Sequence, residues 1–124
     1  MKELIYVFIG GGLGSLVRFI LGKWVNAFHH SSFPFGTFTI NVIACFVLGF
    51  MIGLADQKQL LSPATRLFWA VGFCGGFSTF SAFSSETLTL FQQGQNSTML
   101  LYVLLSIVVC VTATFGGLLV AERF

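Results

Sequence analysis

From Phe33 to Ala55 the chain carries no charged residue at all, and an uncharged run of that length constrains the fold more than any other feature. Crossing about 30 Å of hydrocarbon at about 1.5 Å per residue takes about 20 mostly apolar residues in a helix. Three other stretches are also long and mostly apolar. One runs from Leu4 to Gly22, interrupted only by Arg18, one from about Pro63 to Phe91, and one from Thr98 to Ala121. The sequence therefore predicts an all-α membrane protein, residues 1–124 forming a single four-helix transmembrane domain with spans near 4–22, 33–55, 63–91 and 98–121.

Composition agrees. Charged residues make up 8% of the chain and hydrophobic ones 56%, with a mean hydropathy of +0.92. Soluble domains carry charge on about a quarter of their residues, so lipid must cover most of this surface. A net charge of +2 is too small to argue for nucleic acid. Lys2 ahead of an apolar run has the outline of a signal peptide, but no A-x-A-like cleavage site follows. The run is expected to stay as the first helix.

The connections are short. Residues 56–59 read as a polar loop, and Ser62-Pro63 reads as a helix start, with Ser as the cap and Pro in the first turn. Residues 92–97 read as a turn before the last span. The side holding both termini has Lys2, Lys58, Arg66 and Arg123, against Lys23 and nearby Arg18 on the other. This modest bias places the termini inside and leaves insertion in both orientations open.

Polar groups inside the spans are the candidates for function, because lipid makes them expensive. Gly10, Gly11, Gly12 and Gly14 suit close helix packing; a phosphate cradle would need a soluble helix and a Lys-Ser/Thr pair that are absent. Arg18 either snorkels to the interface or draws anions toward a pore. Asn41 either bonds a neighbouring helix or lines a pore. In the third span, Gly75-Gly76 predicts a break near 75–79, since each glycine weakens a helix by about 1 kcal/mol relative to Ala. Broken membrane helices free carbonyls and N–H groups for ion sites. Phe80 and Phe83 share a face there, beside the hydroxyls of Ser81, Ser84 and Ser85. Aromatic packing with serine back-bonding is the plainer alternative. In the fourth span Tyr102, Ser106, Cys110 and Thr114 recur every four residues, forming either a helix contact or one wall of an aqueous path.

These groups are neutral donors and ring edges, the latter positive. They suit a small, strongly hydrated anion that must be held and then released. Catalysis has no support: the spans contain no His, and a Ser nucleophile would lack a base. Cys45, Cys74 and Cys110 share no metal-ligand spacing and read as buried small residues. His29 and His30 read as solvated loop residues.

Three blocks then resemble the Fluc/CrcB family of fluoride channels, in order and over nearly the whole chain: Gly11-Gly12-Leu13-Gly14 through Arg18-Phe19, Pro34-Phe35-Gly36-Thr37 through Asn41, and Gly75-Gly76-Phe77-Ser78-Thr79-Phe80-Ser81 through Phe83-Ser84 and Glu86. The resemblance implies a passive channel in the cell membrane that exports fluoride, built as an antiparallel, dual-topology homodimer with two pores. It implies a central structural sodium ion on the backbone carbonyls of Gly75 and Ser78. It assigns the fluoride pore to Asn41, Phe80, Phe83, Ser81, Ser84, Tyr102, Ser106 and Thr114, with Glu86 near one pore mouth and Arg18 near another region of positive charge. Ala82 stands where many members of the family have Thr, and Cys110 where some have Ser. Two other classes are weighed. A small multidrug exporter would need a carboxylate within the first helix, which has only Glu3 at its extreme end. A non-transporting membrane scaffold would use the polar stripes merely to join helices.

Overall fold

The computed structural model describes residues 1–124, the Gln57 side chain excepted, and among the described residues there is no strand. Helix α1 is Lys2–Ala27. Helix α2 is Phe35–Ile52, continued by a π-helical turn, Gly53–Gln57. Residues 63–77 make up α3, which is α-helical at Pro63–Arg66, π-helical over Leu67–Phe73 and α-helical again at Cys74–Phe77. Helix α4 is Phe80–Gln92 and α5 is Asn96–Glu122. Taken as spans, Lys2–Ala27, Phe35–Asp56, Pro63–Gln92 and Asn96–Glu122 are each long and apolar enough to cross a membrane.

The ends of these helices follow local chemistry. The Ser62 hydroxyl accepts from Thr65 N–H at 3.2 Å, with Pro63 in the first turn, as the sequence leads one to expect. Between α4 and α5 the chain turns through Gly94 at φ 73°. Gly94 N–H donates to Phe91 O at 3.0 Å and Gln95 N–H to Leu90 O at 2.9 Å. This is the paired bonding of a Schellman cap, and the left-handed residue in it is the glycine. At the other polar loop Arg66 pairs with Asp56 at 3.0 Å, both about half exposed. An exposed pair of that kind contributes at most about 1 kcal/mol.

The helices pack as two pairs, α1 with α3 and α2 with α5. Both contacts are made by glycine. A Cβ at Gly14 would stand 2.8 Å from Phe77 N, and one at Gly72 3.0 Å from Val7 O. On the other pair, a Cβ at Gly49 would stand 3.0 Å from Thr114 Cα, and one at Gly117 2.7 Å from Phe50 N. The glycine run of α1 therefore serves close packing, where dispersion between backbones replaces the hydrophobic drive that lipid removes. A small core of Ile40, Ala44 and Phe77 joins the two pairs, flanked by Leu21 and Phe73. Large side chains such as Phe8, Phe19 and Val108 point outward, as lipid allows. Helix α4 is the least embedded element, resting on α5 and α2.

The break in the third span lies at Ser78–Thr79, within the expected 75–79 stretch but just beyond the glycine pair. Ser78 has ψ 158° and Thr79 φ −152°, ψ 114°, both extended, while Gly75 and Gly76 stay helical in the last turn of α3. Packing explains the displacement: a Cβ at Gly76 would stand 3.0 Å from Gly11 Cα, so this glycine is spent on helix approach. The π-helical stretch Leu67–Phe73 is a second irregularity, and neither Gly nor Pro marks its start.

A polar cavity at the helix break

The break exposes backbone groups that a continuous helix would satisfy, and side chains from three directions take them up. Ser78 donates twice to Cys74 O, through its N–H at 3.0 Å and its hydroxyl at 2.8 Å. Thr79 caps α4: its hydroxyl accepts from Ala82 N–H at 3.1 Å. The Asn41 amide brackets the Thr79 peptide groups, its Oδ1 accepting Thr79 N–H at 2.8 Å and its Nδ2 donating to Thr79 O at 3.2 Å. From α1, Arg18 Nε donates to Gly76 O at 3.0 Å, with Ser15 Oγ at 3.4 Å from the same oxygen. A guanidinium on the last carbonyls of a helix also meets the negative end of its dipole.

Beside the break lies a cavity of about 310 Å³ lined by Asn41, Cys45, Ser78, Thr79, Phe80, Phe83, Ser106, Ile107, Cys110 and Val111. No charged side chain lines it. Its polar atoms are amide, hydroxyl and thiol groups set in an apolar wall. Ser106 is 8% exposed, and its hydroxyl has no hydrogen-bond partner. Buried hydroxyls rarely go unpaired, and this one borders the cavity. Phe80 and Phe83 lie 5.4 Å apart between centroids. Tyr102 sits behind Phe83 at 5.1 Å and meets Phe33 edge-on at 5.4 Å. It is fully buried, and its hydroxyl is also unpaired.

The structure thus brings Asn41, Ser78, Phe80, Phe83 and Ser106 to one cavity, with Tyr102 in the layer behind. It places the others elsewhere. Ser81 and Ser84 are on the exposed face of α4, Ser81 Oγ lying 3.3 Å from Thr79 Oγ1. Thr114 donates back to Cys110 O at 3.0 Å, at the Gly49 crossing. Gly75 borders a smaller cavity of about 130 Å³ with Ala44, Cys45, Cys74 and Ser78. Arg18 is at the end of α3, away from the main cavity. Glu86 lines a third cavity of about 450 Å³ with Asn26, His29, Phe33 and Thr37, where Thr37 Oγ1 donates to its carboxylate. That pairing escapes a reading of the sequence, because it joins residues on two spans with no shared spacing. His29 is less free than a loop histidine need be: its ring lies 4.5 Å from Phe35 and its Nδ1 2.8 Å from Val25 O.

Four apolar helices, a broken third span and a cavity of neutral polar groups at the break define a multi-pass protein of the cell membrane. Comparison with known proteins gives the family. The model described as "CrcB-like protein, Camphor Resistance (CrcB)" matches residues 5–118. Fluoride-specific ion channel FluC of Azobacteroides pseudotrichonymphae is 38% identical over 100% of this chain and 99% of its own length. The protein of that name from Flavobacterium psychrophilum is 37% identical, with 99% of each chain covered. The one from Acidobacterium capsulatum is 42% identical over 99% of this chain and 98% of its own. This chain belongs to the CrcB family.

Proposed function

We propose that the protein is a fluoride channel that lets the anion leave the cell down its gradient, protecting against fluoride toxicity, and that it works as a dual-topology homodimer with two pores. The observation that carries the reading is the unpaired, buried Ser106 hydroxyl in a cavity wall that also holds Asn41, Phe80 and Phe83 and no charge. An anion passing such a wall exchanges part of its water for hydroxyl and amide donors and for ring edges. A fixed cation in the wall would retain it. Relatives named for fluoride conduction, similar along their whole length, supply the ion.

The wall works by neutrality and by spacing. Asn41 Nδ2 and Ser106 Oγ are donors on facing helices. Phe80 and Phe83 exclude larger hydrated ions and offer edges, and Tyr102 backs Phe83 so that its ring holds its angle. Ser81 and Ser84 extend the path on faces that a second copy of the chain would cover, and Thr114 extends it at the α2–α5 crossing within one chain. Glu86 stands near one mouth, and Arg18 adds positive charge in another region, at the end of α3. As Phe80 is 78% exposed and Ser81 and Ser84 are exposed within one chain, a partner copy is needed to enclose the pore.

The residues at the break fit a structural sodium ion. The N–H of Thr79, which would serve the Gly75 carbonyl in a continuous helix, donates to Asn41 instead, and nothing lies within 4 Å of the Cβ position of Gly75. Gly75 and Ser78 would hold the ion through their carbonyls, hard oxygen donors of the kind that unwound membrane helices offer to sodium. Bound there, sodium would supply positive charge to the carbonyls of the break.

Liposomes loaded with fluoride and containing the purified protein test the function, with efflux followed by a fluoride electrode beside a chloride control. Rapid fluoride release without chloride release, slowed by Phe80→Ile, is expected. Folded protein that releases neither ion overturns the reading.

A further inference from the structure

Three free cysteines gather near the break, and conduction as described uses none of them. Cys45 and Cys110 both line the main cavity, and Cys45 also borders the smaller one with Cys74. The register of α2 against α5 brings the first two together. Gly49 meets Thr114, and one turn on Gly53 meets Leu118 and Ala121, so the helices run parallel. Cys45 precedes Gly49 by the same four residues that separate Cys110 from Thr114, which puts both thiols one turn back at a common level. The close approach of Gly49 to Thr114 lies one turn beyond that level.

We propose that Cys45 and Cys110 form a two-thiol site for a soft, thiophilic cation, and that an ion bound there plugs the cavity; the plugging, though not the binding, rests on the channel reading above. Sulfur ligands select soft ions. No group of three or more His, Cys, Asp or Glu among the described residues could hold a metal ion, so the site offers two sulfurs and favours an ion content with two. The ligand class is a d10 cation satisfied by two sulfurs in line, of which mercuric ion is the simplest probe. Binding breaks two S–H bonds and forms two S–metal bonds. Two protons leave, and no electron is transferred. With a divalent ion the product S–M–S unit is neutral, which suits a site surrounded by Phe83, Ile107 and Val111, where a residual charge would be poorly solvated.

The test uses the full-length protein and mercuric chloride. Protein is treated, washed with a monothiol and weighed by intact mass. Wild type is expected to retain one mercury per chain. Cys45→Ser, Cys45→Ala and Cys110→Ser are expected to lose at least 90% of it, while Cys74→Ala keeps it. Elution as a single folded species is the check on each variant. Equal retention in the Cys45 and Cys110 variants, or loss in Cys74→Ala, overturns the site. In liposomes, each protein is compared with its own untreated efflux. Mercury is expected to reduce wild-type fluoride efflux at least tenfold and to spare the Cys45→Ser/Cys110→Ser double variant. Retained mercury with undiminished efflux overturns the plugging. If no protein conducts fluoride before treatment, the channel reading fails, and the mass measurement still decides the site.

Discussion

Asn41 holds Thr79 by both of its peptide groups, accepting from the N–H at 2.8 Å and donating to the carbonyl at 3.2 Å. One amide on α2 thereby fixes the point at which the third span leaves helical geometry. A partly buried peptide without those partners is unpaired twice over, at about 1–3 kcal/mol for each group. Asn41→Ala should lower unfolding stability in detergent by about 2–6 kcal/mol, read by thermal or denaturant melting. Asn41→Asp keeps the acceptor but turns an oxygen toward Thr79 O, so it should be destabilised as well and should conduct more slowly.

The α1 glycines are not interchangeable. Gly14→Ala drives a Cβ into the Phe73–Phe77 backbone, and overpacking of that kind typically removes about 1–3 kcal/mol. Gly12, with nothing within 4 Å of its Cβ position, should accept Ala with no loss and a gain of up to about 1 kcal/mol from helix propensity. Melting the two variants side by side decides whether the glycine run is a packing surface. Equal behaviour would contradict it.

Arg18 caps α3 through Gly76 O at 3.0 Å. Arg18→Leu leaves that carbonyl to Ser15 alone, and a hydrogen bond from a charged donor is worth about 1.5–3 kcal/mol. Stability should fall by that amount. Because the contact is part-buried, the loss should change little between low and high salt, unlike that of a screened surface charge. A loss that vanished in high salt would return Arg18 to an interfacial role.

Sodium removal gives a fourth expectation, tied to the proposed ion at Gly75 and Ser78. Exchange of sodium for a bulky organic cation should weaken the homodimer, measured as a shift toward monomer on dilution. Restoring sodium should reverse the shift. A dimer indifferent to the exchange would remove the ion from the account.

Much of the architecture is legible in the sequence because lipid enforces one simple requirement, long apolar helices, and the Ser62-Pro63 start is written in local chemistry. The break is harder. Glycine propensity points to Gly75-Gly76, yet Gly76 remains helical because Gly11 approaches it, and the extended residues are Ser78 and Thr79. Propensity is local, and packing against α1 overrides it. The polar stripe of α5 shows a second limit. Steps of four residues advance about 40° beyond a full turn each, so a stripe that begins in line at Tyr102 has rotated toward the Gly49 crossing by Thr114. Likewise a row of hydroxyls on α4 does not say which side is inside, and Ser81 and Ser84 face out of the single chain. Thr37 with Glu86 is legible only once α2 and α4 are set side by side.

The two halves of the third span end in caps of different origin: Arg18 and Ser15 close α3, and Thr79 opens α4 with its own hydroxyl. No helical ladder bond has to stretch when one half tilts against the other. The joint therefore behaves as a vibration mount does between an engine and its frame. Bending of α4, the most lightly held segment, would be taken up at Ser78–Thr79 and not passed to the glycine-packed α1–α3 pair.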